Sequence, residues 1–280
     1  FAGMDELNKR RHNGVLWVYV SGSCNFRCAY RIDDRYAIPH NKLDEGLFLD
    51  RLDELQRQLQ YTIVLTGGEP MAQPRLVHAL FDRFSSTAKT VQTNGSLTSA
   101  TLSLCPKLAP DDWISISYHD FAWRRSKHEK SIDATVEGLL DNGKNVFVQL
   151  MCTPDNAVRM SAAAVRFSEL GCKVAMRRIH DHTPESFGQV ERLLGACGGE
   201  DWALPAFFGR EHKPPRRQPF RAANVYLDGT IGFVCKDEVI IGNLYSGYDL
   251  NIVDRYRSLP CAQVCGSCSC LWVSEPWGFA

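Results

Sequence analysis

Cys24 and Cys28 lie in the run CNFRCAYR, separated by three residues, directly after the apolar stretch VLWVYV that begins at Val15; Arg31 closes the run. Thiolate sulfurs suit iron-sulfur chemistry, and the spacing Cys-x3-Cys-x2-Cys can hold three irons of a 4Fe-4S cube while leaving the fourth iron open for a ligand. Here the third place carries a guanidinium, which stays protonated and only donates hydrogen bonds. By spacing alone, Cys24 and Cys28 are either a ligand pair or two ordinary buried thiols.

A second segment able to do chemistry is TGGEP, Thr66 to Pro70. Gly67 and Gly68 let backbone approach a ligand closely, and Glu69 can pair with an ammonium group. The plainer alternative is a strand-to-helix turn with a surface carboxylate. Arg178, at the end of a strand pattern, could meet a carboxylate or simply be solvated. His119 could relay protons or form part of a polar rim. Near the C-terminus stand Cys235, Cys261, Cys265, Cys268 and Cys270. Cys265 and Cys268 put two thiolates on one tight turn, with Gly266 permitting the bend, a pattern that suits an iron-sulfur cluster or a tetrahedral zinc site. Cys235, Cys261, Cys265 and Cys268 are the preferred set of four, with Cys270 as the alternate. Cys105, Cys152, Cys172 and Cys197 are spread through helix and strand patterns as small core residues.

CNFRCAYR resembles the cluster loop of the radical S-adenosylmethionine (radical SAM) enzymes, and TGGEP resembles that family's motif for the methionine end of the cofactor. QTNGS around Asn94 and Gly95, SISYH ending at His119, and VQLMCTPDN from Val148 to Asn156 are weaker matches. The resemblance implies a partial (β/α)6 barrel that binds S-adenosylmethionine and a 4Fe-4S cluster. Tyr30 would pack on adenine, and Asn94 and Ser117 would bond the ribose or carboxylate, although either could equally cap the helix that follows it. An intact member takes one electron from a donor such as flavodoxin or ferredoxin and forms a 5′-deoxyadenosyl radical that abstracts hydrogen from substrate. Arg31 departs from that pattern. The cysteine-rich tail resembles the auxiliary-cluster extensions called twitch or SPASM domains; the SPASM pattern has seven cysteines and two clusters, so five cysteines imply one cluster in a shortened unit. The resemblance favours a peptide over another small-molecule substrate. Two alternatives stand beside it: a non-catalytic relative acting as a binding or regulatory module, and a zinc-stabilised α/β protein without iron.

The elements that must hold these residues follow a strand-helix rhythm. Strand patterns begin at Val15, Thr62, Thr90, Trp113, Val146 and Val174, and helical patterns run over Leu43–Gln60, Leu76–Phe84, around Ala100, Ile132–Asn142 and Val158–Leu170. This predicts a parallel sheet buried under helices, with Cys24, Gly67, Asn94, Ser117 and His119 at strand ends, where α/β folds collect ligands. A further helical stretch is expected over Pro184–Ala196. KPPRRQPF from Lys213 reads as an extended connector, and NVYLDGTIGFVC as a β-hairpin turning at Asp228 and Gly229. The expected division is a barrel over 14–200, a connector over 201–220 and a small β-hairpin, cysteine-rich auxiliary-cluster domain over 221–280.

With 280 residues, 44% of them hydrophobic and 23% charged, the chain can bury a substantial core. Its 32 basic and 32 acidic residues cancel, which argues against a general attraction to nucleic acid or membrane. No apolar run approaches the roughly 18 residues of a membrane span, and eleven clustered cysteines are too few for a disulfide scaffold. A cytoplasmic protein is expected.

Overall fold

The computed structural model describes residues 14–26, 28, 43–119, 129–153, 155–178, 222–233 and 239–252. Two compact units divide the chain: Phe1–Ser23, Asp34–Thr90 and His212–Ala280 form the first, Cys24–Asp33 and Val91–Glu211 the second.

In the first unit, β1 (Val15–Ser21) pairs in parallel with β2 (Thr62–Gly67). Between them runs helix α1 (Glu45–Leu59). Asp44 starts this helix by accepting the Leu47 N–H at 3.0 Å, and Gln60 ends it in the left-handed conformation at φ 53°. Phe48, Leu52 and Leu55 recur at helical spacing and are fully buried. Helix α2 (Pro74–Arg83) begins with proline, tolerated there because a first-turn N–H has no partner within the helix. It buries Leu76, Val77, Leu80 and Phe81. Arg83 joins the two helices through ion pairs to Asp50 and Asp53 at 2.8 and 3.1 Å, while a hydrogen bond from Arg57 holds the Asp53 carboxyl below its usual range.

The hairpin read at Asp228 and Gly229 forms as β7 (Ala222–Val225) and β8 (Thr230–Phe233), which pair antiparallel. Gly229 has φ +86°, and a Cβ there would lie 2.6 Å from the Tyr245 ring. The strands β9 (Val239–Asn243) and β10 (Gly247–Tyr248) extend the meander. Its first strand, β7, also pairs in parallel with β1, from Val15↔Ala222 to Val18↔Val225, so the hairpin shares the sheet of the first unit.

Strand β3 (Lys89–Thr93) carries the chain from the first unit into the second. There β4 (Trp113–Tyr118), β5 (Asn145–Cys152) and β6 (Lys173–Arg178) are parallel neighbours. Helices α3 (Thr98–Leu102), α4 (Glu129–Asp141) and α5 (Ala157–Glu169) form the connections. Every strand and helix expected from the sequence pattern, apart from the stretch 184–196, thus forms at its place; that stretch and the connector 201–220 lie outside the described residues. Among the described residues no helix is long and apolar enough to cross a membrane.

Candidate functional site

In the first unit the strand ends of β1 and β2 are joined by backbone. The register shifts after the pair Tyr19↔Thr66, so that Ser21 faces Gly67, a bulge that bends β1 where the cysteine loop departs. The Gly68 N–H donates to Ser21 O at 2.7 Å and the Glu69 N–H to Ser23 O at 2.8 Å. Gly67 has φ +133°, and a Cβ on it would lie 2.3 Å from Ser21 O. Its missing side chain therefore makes room for the chain's own backbone. Ser21 Oγ completes the turn, donating to Ser23 O at 2.9 Å and accepting the Ser23 N–H at 3.2 Å.

Glu69 is not a surface carboxylate. It is 0% exposed, and Oε1 accepts the Met71 N–H at 2.9 Å, capping the single 3-10 turn Pro70–Ala72. A buried carboxylate is costly unless hydrogen bonds satisfy its oxygens, and the Met71 N–H meets one of them.

In the second unit the residues around Cys24 form a closed hydrogen-bonded ring. Asn94, 5% exposed at the end of β3, donates to Asn25 Oδ1 at 2.8 Å and lies 3.9 Å from Cys24 Sγ. Asn25 donates to Ser96 Oγ at 2.7 Å. Ser96 returns both its N–H and its hydroxyl to Asn94 Oδ1, at 3.0 and 2.6 Å. The Phe26 N–H also points at Cys24 Sγ, at 3.3 Å, so one donor from its own loop and one from Asn94 face the sulfur. Asn94 does not cap α3, whose N-cap is Leu97; it fixes the cysteine loop. The Thr135 hydroxyl of α4 donates to Gly95 O at 2.8 Å and supports that turn from beneath.

Phe26 is buried and stands edge-on to His119, with ring centroids 6.4 Å apart and planes at 86°. Desolvation lowers the His119 pKa to about 4, leaving a neutral imidazole near neutral pH. Ser117 is half-buried one step below it on β4. Cys24 and Cys28 are both half-buried, whereas Cys105, Cys152 and Cys172 are buried thiols whose pKa values burial pushes up, that of Cys172 to about 11. These three are core residues, as expected. Tyr30, Arg31, Cys197, Cys235, Cys261, Cys265, Cys268, Cys270 and the side chain of Arg178 lie outside the described residues.

Sequence reasoning thus singled out Cys24, Gly67, Glu69 and Asn94 but passed over Ser21, Asn25 and Ser96, which hold them. The available signal was a small polar residue beside each motif, at positions where a chain leaving a strand must satisfy its own backbone.

No protein-family model matches the chain, and no curated protein matches it in sequence. Solved structures do match in fold. Native anSMEcpe with bound AdoMet aligns at a TM-score of 0.61 and 13% identity, over 84% of this chain and 79% of its own. Streptococcus suis SuiB bound to the precursor peptide SuiA aligns at 0.63 and 14%, over 92% and 70%. BtrN in complex with AdoMet and 2-DOIA aligns at 0.51 and 14%, over 88% and 86%. This chain is an α/β protein built on the fold those three share.

Proposed function

We propose that this chain is a radical SAM-superfamily protein that binds S-adenosylmethionine at the carboxyl ends of its parallel strands, in a partial (β/α)6 barrel, and acts on a peptide. One observation carries the reading. The TGGEP turn at the end of β2 is tied by backbone to the end of β1, because the N–H groups of Gly68 and Glu69 donate to Ser21 and Ser23, which precede Cys24 in the chain. The fold likeness to proteins solved with AdoMet supports the same reading. Structures of similar fold that hold SuiA or the Cp18Cys peptide favour a peptide substrate. In this proposal Glu69 receives the methionine ammonium, with Gly67 and Gly68 keeping its turn tight. Asn94 and Ser117 bond ribose or carboxylate, Tyr30 packs on adenine, and Arg178 meets a carboxylate.

The donor set bears on whether bound cofactor is cleaved. Among the described residues no group of three or more His, Cys, Asp or Glu side chains gathers to hold a metal. Cys24 and Cys28 supply two soft donors, and the motif's third place is Arg31. Two thiolates and a guanidinium do not fit the three-thiolate seat of a 4Fe-4S cube. That favours a second reading beside the first, a relative that binds the cofactor without cleaving it and serves as a binding or regulatory module. For the C-terminal auxiliary unit we assign one 4Fe-4S cluster to Cys235, Cys261, Cys265 and Cys268, with Cys270 as the alternate ligand and structural zinc as the rival occupant.

Iron, acid-labile sulfide and zinc per chain after anaerobic reconstitution test the assignment, on the intact chain and on Cys24→Ala/Cys28→Ala. About four irons, unchanged by the double substitution, are expected for a single tail cluster. About eight irons falling to about four would mean that the barrel cluster forms despite Arg31 and would overturn the non-catalytic reading. Zinc without iron would remove the cluster assignment.

A further inference from the structure

The two faces of β4 and β5 differ in chemistry. Side chains alternate along a strand, and neighbouring parallel strands keep paired residues on one face. The even-numbered residues are an apolar core: Ile114, Ile116, Val146, Val148, Leu150 and Cys152 are all buried. Tyr118 on this face meets Phe167 of α5 edge-on at 5.3 Å. The odd-numbered face carries Trp113, Ser115, Ser117, Phe147, Gln149 and Met151, with Ser115 paired to the buried Phe147 and Ser117 to Gln149 in register. Parallel strands packed against apolar layers on both sides read as continuous apolar runs. These strands do not.

Gln149 is the residue that packing alone does not explain. It is 2% exposed, and Ser115 beside it is 0% exposed. Its amide donates to Ser115 Oγ, its one side-chain hydrogen-bond partner among the described residues. A primary amide has four hydrogen-bonding positions, so most of its capacity is unused. Ser117, half-buried and paired with Gln149, has no hydrogen-bond partner for its hydroxyl among the described residues. A half-satisfied buried amide costs stability and is retained where something else completes it.

We propose that this face is a carboxamide-reading subsite, in which Gln149, held by Ser115 and flanked by Ser117, hydrogen-bonds a peptide amide of the substrate. A peptide group carries one donor and one acceptor and complements a glutamine amide in either of its orientations. The inference deepens the proposal of a peptide substrate and rests on it.

The test uses the full chain labelled with 15N-glutamine and N-acetylglycine N-methylamide as the probe. The Gln149 side-chain amide resonance, assigned by its loss in Gln149→Met, shifts with saturation as probe is added. Gln149→Met weakens the probe's saturation-transfer signal at least about tenfold, the loss of a buried hydrogen-bonded pair. It also melts no lower than the unmodified chain, because methionine fills the volume and removes a half-satisfied amide. A Gln149 resonance that stays still overturns the subsite. So does a Gln149→Met chain that melts lower with unchanged probe affinity, since the amide would then be a structural strut. Calorimetric titration of the unmodified chain with S-adenosylmethionine runs in parallel. Absence of heat there overturns the cofactor reading, whereas the subsite stands or falls on the Gln149 resonance.

Discussion

Asn94→Ala should loosen the cysteine loop at a cost that the ring of hydrogen bonds around it sets. The substitution removes the acceptor for Ser96 N–H and Ser96 Oγ and the donor to Asn25 Oδ1. These losses are unequal. Asn25 is exposed, so water replaces its lost donor, and the Ser96 hydroxyl can rotate to a new partner. The Ser96 N–H cannot move, in a residue only 6% exposed, and its orphaning costs about 1–3 kcal/mol. With a few tenths for the other contacts, the expected loss is about 2–3 kcal/mol, on the order of 30- to 150-fold in the unfolding equilibrium. Asn94→Asp keeps the acceptor for Ser96 but loses the donors to Asn25 and Cys24 Sγ and sets a carboxylate against Asn25 Oδ1 in a site 5% exposed, so it should not restore the lost stability. Urea unfolding midpoints give the stabilities, and mass-spectrometric timing of Cys24 alkylation in the folded chain gives the loop's freedom. Alkylation of Cys24 should speed up in Asn94→Ala and in Asn94→Asp, since both lose the amide that donates to Asn25 and Cys24 Sγ. If Asn94→Ala shifted stability by under about 0.5 kcal/mol and left the Cys24 rate unchanged, the ring would not be what positions this sulfur.

Gly67→Ala combines a disfavoured φ of +133° with a Cβ 2.3 Å from Ser21 O, so a loss of about 3–5 kcal/mol is expected from strain plus displaced backbone; a melting temperature within two or three degrees of the unmodified chain would contradict it. Glu69→Gln keeps an oxygen to accept the Met71 N–H but loses its charge, so calorimetry should find S-adenosylmethionine bound at least about tenfold more weakly, and unchanged affinity would sink the ammonium role. His119 has its folded pKa lowered to about 4 against about 6.5 when unfolded. The unfolded chain therefore binds the extra proton across that window, and the contribution is fully present above about pH 6.5 and lost as pH falls towards 4. The amount is up to about 3 kcal/mol, and His119→Asn should flatten that part of the stability profile. Asp53, whose pKa is lowered from 3.8, loses its contribution only at more acid pH and does not mimic the effect.

The elements of this fold were legible because each follows from local periodicity. Phe48, Leu52 and Leu55 mark a helix by spacing, and Ile63, Val64 and Leu65 mark a buried strand. The hairpin was legible at Asp228 and Gly229, where the turn needs a positive φ. That this hairpin's first strand pairs with β1 was not legible, because hydrogen bonding between strands distant in the chain leaves no mark on either sequence.

The same division runs through the site. The sequence by itself determined which residues could do chemistry: the thiols Cys24 and Cys28, the GGE turn, the amide of Asn94, and the guanidinium that breaks the thiolate pattern. It also placed them at strand ends, since the strand-helix alternation does so whatever the partners are. Only the tertiary structure decided what each one does within the chain. Gly67 serves the backbone of Ser21, Glu69 is buried at a turn cap, and Asn94 holds the cysteine loop through Asn25 and Ser96. It alone separated the apolar face of β4 and β5 from the face bearing Gln149. The reason is physical: residue type and spacing fix donors, acceptors and local shape, but the cost of burying a polar group depends on the partners that folding brings beside it.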